Sequence, residues 1–156
     1  MLIWISPGWP LIAGPNIDLT SKEKQQVFDS IVSTSNQLRQ ARITLYNIDP
    51  LGMEDAGRIR TVYYREYLKG IADPAQAMPP NLSLQVIASQ SGGRVLNSSN
   101  GIAEEIESCA RDANAFYTLS FNPTPVAHPN QYRRLEVKIA QPGLIARTRT
   151  GYYGQP

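Results

Sequence analysis

The sequence predicts one α/β domain built on a parallel sheet, with an antiparallel β extension at its C-terminal end. Three observations lead there. Leu2–Ile5 is an unbroken apolar run closed by Ser6-Pro7-Gly8, the pattern of a strand buried on both faces. Strand-like and helix-like stretches then alternate through the first two thirds of the chain, as in α/β folds. Finally, Gln141-Pro142-Gly143 separates two runs that alternate apolar and polar residues, which argues for a hairpin.

After the first strand, Pro7, Gly8, Pro10, Gly14 and Pro15 punctuate a loop. Asp18 or Thr20 can cap the helix that follows, and Glu23 stands where a capping box needs it. Val27, Ile31, Leu38 and Ala41, with Phe28 beside them, recur at helical spacing over 21–41. Ile43–Ile48 is the next strand, ended by Asp49-Pro50-Leu51-Gly52. Strand, helix and strand make a βαβ unit with a right-handed crossover. Residues 58–68 have a helical pattern through Ile59, Val62, Tyr63 and Tyr67, and 72–80 form an irregular Pro- and Ala-rich connection. Asn81 is the expected cap of a second helix carrying Leu82, Leu84, Val86, Ile87 and Ala88, which Gly92-Gly93 stop. Residues 94–96 make a short strand, and a third helix over 101–112 lines up Ile102, Ile106, Cys109 and Ala113. Residues 115–121 read as a strand, a Pro-rich loop covers 122–131, and the hairpin arms are 132–140 and 144–152.

Composition narrows the function classes. The 156 residues suit one domain. One cysteine excludes an intrachain disulfide, and with one histidine the usual zinc clusters lack ligands. No apolar run approaches the roughly 20 residues of a membrane span, and Met-Leu-Ile-Trp-Ile-Ser lacks the basic start of a secretory signal. The net charge of +2 is too small to imply nucleic acid. It is unevenly spread, however. Residues 126–156 hold Arg133, Arg134, Lys138, Arg147 and Arg149 against Glu136 alone. Arg134, Lys138, Arg147 and Arg149 are the candidate basic face.

Ser6, Gly8, Asp49 and Asn97 fall at the C-terminal ends of parallel strands, where open α/β sheets bind ligands. They are the candidate binding edge, although Asp49 before Pro50 is more simply a turn residue. Cys109, on an apolar helical stripe, reads as a buried small hydrophobe, and His128 as a solvated loop residue. Gly92-Gly93 precede a strand and are no phosphate loop. Tyr63, Tyr64, Arg65, Tyr67 and Lys69 mix aromatic and basic groups as single-strand nucleic-acid surfaces do, but tyrosines packing one helix side explain them more simply.

Several stretches together resemble a known family. They are Leu2-Ile-Trp-Ile-Ser-Pro-Gly8, the segment from Leu38 to Gly52, Ser91-Gly-Gly-Arg-Val-Leu-Asn97, Ala115-Phe-Tyr-Thr-Leu-Ser-Phe121, Leu135-Glu-Val-Lys-Ile139 and Thr148-Arg-Thr-Gly-Tyr-Tyr153. In this order they resemble the acidobacterial-type VWFA-related domain proteins, a branch of the von Willebrand factor type A domains. The resemblance implies a Rossmann-like parallel sheet, truncated at the N-terminus. Residues 1–114 would be the C-terminal part of that domain, and 115–156 a β-strand and hairpin extension packed on the same sheet.

Type A domains bind a divalent cation through three loops, an Asp-x-Ser-x-Ser, a Thr and typically a Thr-Asp-Gly. No Asp-x-Ser-x-Ser occurs in this sequence, and Ser6-Pro7-Gly8 stands where Thr-Asp-Gly is expected. A hard cation needs several oxygen ligands, so no metal and no cofactor are expected. The resemblance implies a non-catalytic, adhesion-type protein-interaction module in a bacterial, exported or extracytoplasmic setting, with a protein partner. If the first strand lacks its neighbours, Leu2–Ile5 invites self-association. The residues also leave open an enzyme fragment or cryptic hydrolase using Cys109 or Asp49, and a polyanion-binding module using the basic hairpin.

Overall fold

The computed structural model describes residues 1–9, 18–51, 64–97 and 101–155. In chain order the elements are β1 (Leu2–Ile5), α1 (Ser21–Gln40), β2 (Leu45–Ile48), α2 (Leu84–Gln90), β3 (Val95–Leu96), α3 (Ile102–Asn114), β4 (Gln131–Arg134) and β5 (Gly151–Gly154). β1, β2 and β3 form a parallel sheet in that order, and β4 and β5 form a separate antiparallel pair. The fold is therefore mixed α/β.

β2 organises the core, because all four of its residues are buried. A strand buried along its length needs cover on both faces. Leu45 packs with Leu84, Ile87 and Ala88 of α2, whereas Tyr46 and Ile48 pack with Leu96 and with Cys109 of α3. Each of the leucine and isoleucine side chains among them contributes about 1.5–3 kcal/mol on burial. The expected two-sided burial belongs to β2 and not to β1. β1 is an edge strand, and Leu2, Trp4 and Ile5 are 42%, 46% and 47% exposed. An apolar run reports the composition of a strand but not how many neighbours it has.

α1 starts as expected. Thr20 accepts from the Glu23 backbone N–H, and the Glu23 carboxylate accepts from the Thr20 backbone, closing the capping box. Phe28, Ile31 and Val32 form its buried stripe. The helix ends without a glycine: Arg42 takes φ 53° so that Ile43 can donate to the Leu38 carbonyl at 2.8 Å. Most of the expected helix over 58–68 falls on 52–63, outside the described residues. From Tyr64 onward one helical turn is present, with Tyr67 donating to the Tyr64 carbonyl at 3.0 Å.

The Pro-rich connection contains two 3₁₀ turns, Pro74–Gln76 and Pro79–Leu82. Ser83, not Asn81, caps α2, its hydroxyl accepting from Val86. Asn81 instead accepts from the Met78 N–H at 2.9 Å and closes the turn before it. Among the described residues no helix is long and apolar enough to cross a membrane.

The β4–β5 pair packs on α1. Tyr153 lies edge-on to Phe28 at 6.0 Å and donates to the Ile71 carbonyl at 3.1 Å. Tyr153 thereby joins Phe28, Ile31, Val32, Ile71 and Ala77 in one core cluster. The expected hairpin is paired only at its base, from Gln131↔Gly154 to Arg134↔Gly151, with Leu135 still donating to Thr150. Above that point the second arm is drawn onto the α/β part, where Thr148 runs against Gly92. The expected strand over 115–121 joins no ladder among the described residues. Phe116, Tyr117, Leu119 and Phe121 of that segment are 75%, 95%, 67% and 57% exposed.

Candidate functional site

The register of the parallel sheet builds the candidate edge. Ile5 is aligned with Ile48, and Ile48 with Leu96. The residues that follow, Ser6, Asp49 and Asn97, therefore stand in a row across the C-terminal end of the sheet. Backbone bonds hold the row, Ser6 N–H donating to Ile48 at 2.9 Å and Asp49 N–H to Leu96 at 2.8 Å.

Each side chain in the row has local work. The Ser6 hydroxyl donates to the Gly8 carbonyl at 2.9 Å and accepts from the Gly8 N–H at 3.1 Å, tightening the Ser6-Pro7-Gly8 corner. Gly8 sits at φ 129°, a conformation that favours glycine. Two long-range bonds tether this corner to the start of α2. Gln85 donates to the Pro7 carbonyl at 2.9 Å, and the Trp9 indole to the Leu82 carbonyl at 2.8 Å. Asp49 is buried, and its carboxylate accepts from the Leu51 N–H at 3.0 Å, the expected turn role. Asn97 is half-buried.

Beneath the row lies a residue that sequence reasoning passed over. Asn47 is fully buried and donates to the Ser6 carbonyl at 2.8 Å and the Trp4 carbonyl at 3.3 Å. Its Oδ1 has no partner among the described residues. The signal was an amide in the middle of the otherwise apolar Ile43–Ile48 strand. Buried amides are kept where they satisfy backbone groups, and this one fastens β1 to β2 just below the edge.

The basic residues separate into two pairs. Arg134 is exposed, and Lys138, also exposed, lies 3.8 Å from Glu136. The other two fold back onto the α/β part, Arg149 half-buried and Arg147 still exposed. Arg147 pairs with Asp112, donates to the Gly92 carbonyl at 3.1 Å and stacks over the Tyr46 ring at 5.9 Å. Half-buried Arg149 donates to the Leu38 and Ile43 carbonyls, at 2.9 and 2.5 Å. The end of α1 leaves carbonyls that need donors, and Arg149 supplies them. Alternation places both arginines on one arm of the hairpin but does not reveal what that arm meets.

Tyr46, Asp112 and Arg147 form one electrostatic cluster. Burial, and then the Asp112 carboxylate at 2.7 Å, push the Tyr46 hydroxyl up to about 12. Burial pushes the Asp112 carboxyl up as well, but the Tyr46 hydroxyl and Arg147 outweigh it and leave it below its ordinary value. Cys109 is fully buried, and burial raises its thiol, the opposite of what a nucleophile needs. His128 is exposed. Among the described residues no three His, Cys, Asp or Glu side chains converge.

Comparison of the chain with family models, with curated proteins and with solved structures gave no match.

Proposed function

We propose that this chain is the C-terminal part of a VWFA-related α/β domain that binds another protein through the C-terminal edge of its parallel sheet, without catalysis and without a cation. The observation that carries the reading is the row of Ser6, Asp49 and Asn97, aligned by parallel register and held from below by Asn47. Loops at that end of an open α/β sheet are its usual binding surface. The donor chemistry does not fit a divalent cation. The Ser6 hydroxyl is engaged within its own corner, Pro7 has no ligating side chain, and among the described residues no group of three acidic, His or Cys side chains converges on Asp49.

The other two readings have less in their favour. A buried thiol with a raised pKa does not support a Cys109 hydrolase. A polyanion site would have Arg134 and Lys138 to offer with Arg147, whose charge is already paired with Asp112, since half-buried Arg149 is committed to backbone carbonyls.

The reading is tested in two parts. Thermal unfolding with and without Mg²⁺ or Mn²⁺ should give the same midpoint, because only binding to the native state shifts it. A shift that Asp49→Asn removes would refute the cation-free reading. A photo-crosslinker placed at exposed Leu51 should capture a protein partner in native extract, and Ser6→Arg should abolish capture. Capture that is indifferent to Ser6→Arg would place the binding surface elsewhere.

A further inference from the structure

Among the described residues two strand-forming surfaces are unpaired, and each is what the other lacks. β1 pairs, among the described residues, on one side only, with β2. Edge strands are commonly protected by lysine, by an internal proline or by a bulge, and Leu-Ile-Trp-Ile has none of these. The second surface is residues 115–121, Ala-Phe-Tyr-Thr-Leu-Ser-Phe, which joins no ladder among the described residues. It is rich in aromatic and β-branched residues favoured in strands, and its four large apolar side chains are all more than half exposed. Neither segment carries a charge, so pairing them buries no ion.

We infer that a second copy of this chain covers β1, its residues 115–121 adding as a strand to the free edge of Leu2–Ile5. Strand addition supplies main-chain hydrogen bonds, while the alternate side chains fill the surface around the edge. The exposed parts of Phe116, Tyr117, Leu119 and Phe121, with those of Leu2, Trp4 and Ile5, come to on the order of 800 Å² per copy if each aromatic side chain spans ~150–250 Å². A standard protein interface removes ~800 Å² from each partner. Reciprocal exchange between two copies would use both surfaces of each and close as a dimer. This surface is distinct from the C-terminal edge and does not depend on the function proposed for it.

Sedimentation velocity across a wide concentration range tests the inference. The chain should self-associate. Tyr117→Pro removes a backbone donor from the added strand at a position that no ladder of the chain's own fold uses. It should raise the dissociation constant roughly tenfold or more, and its melting temperature should match the parent chain's at concentrations low enough for both to be monomeric. Ile5→Lys should weaken association to a similar degree by charging the acceptor edge. Mixing the two variants should restore association, since one keeps an intact donor strand and the other an intact acceptor edge. A chain that stays monomeric at every concentration overturns the inference. So does association indifferent to Tyr117→Pro, which would mean that β1 pairs with β1, and so does a mixture that fails to associate. If Ile5→Lys does not fold, Tyr117→Pro alone still decides between these outcomes.

Discussion

Gly93→Ala is the sharpest test of the packing around β2. A Cβ built on Gly93 would lie 1.8 Å from the Leu45 carbonyl oxygen and 3.3 Å from that of Ala88. Real Cβ atoms essentially never approach closer than 3.0 Å, so the backbone must move by more than an ångström. The atoms in the way belong to β2 and α2, and no flexible side-chain tip can yield. Separating these elements opens the cluster of Leu45, Leu84, Ile87 and Ala88. A gap of 0.5–1 Å forfeits about a quarter to a half of each contact's attraction, and burial contributes ~1.5–3 kcal/mol per large side chain. The expected loss is about 3 kcal/mol. For a chain of this size that lowers the midpoint by roughly 6–12 °C. Urea unfolding followed by circular dichroism measures the loss directly. Gly143→Ala provides the reference, because Gly143 has φ 82° but nothing within 4 Å, so only backbone strain of about 1 kcal/mol applies. A loss below about 1 kcal/mol at Gly93, or one no larger than at Gly143, would refute the reasoning.

Two further outcomes are expected. Asp112→Asn should flatten the acid limb of stability. The folded Asp112 carboxyl lies below its ordinary value, so its contribution is complete above the unfolded value of about 3.9 and is lost as pH falls through the lower folded one. Melting curves recorded between neutral and strongly acid pH read this, and an unchanged limb in the variant would count against the Tyr46–Asp112–Arg147 cluster as its source. Arg42→Gly should stabilise the chain by about 1 kcal/mol, because the exposed Arg42 occupies a left-handed conformation at the end of α1. A destabilised variant in urea unfolding would show that the arginine side chain contributes more than its backbone costs.

What the sequence revealed was local. The Thr20–Glu23 box, the apolar stripe of α1, the Gly92-Gly93 stop and the buried thiol all follow from short-range spacing. What it concealed depends on which segments meet. Leu2–Ile5 is the more uniformly apolar run, yet among the described residues it is Leu45–Ile48, with Asn47 inside it, that has a strand on either side. Residues 115–121 have strand propensity but no partner within the chain's own described fold, and propensity alone does not make a strand. Gly93 reads as a helix terminator, whereas its stronger constraint is the Leu45 carbonyl pressed against it. Arg147 and Arg149 alternate as a solvated hairpin would, but carbonyls and a carboxylate on the α/β part recruit them. At the candidate edge, the row of Ser6, Asp49 and Asn97 was visible from strand ends. Asn47 beneath it was not singled out, because a single amide inside an apolar run carries no periodic signal.

The anchoring of Arg149 and Tyr153 sets an order on synthesis. Arg149 reaches the Leu38 carbonyl across 111 residues, and Tyr153 reaches Ile71 across 82. α1 can coil as soon as it leaves the ribosome, but the face bearing Phe28 has its aromatic lid only after residue 153 has emerged. Until then the nascent chain exposes that apolar face, and such surfaces are aggregation-prone during folding. Long-range closure of this kind slows folding, so the Phe28 face stays uncovered until the chain has been made through residue 153.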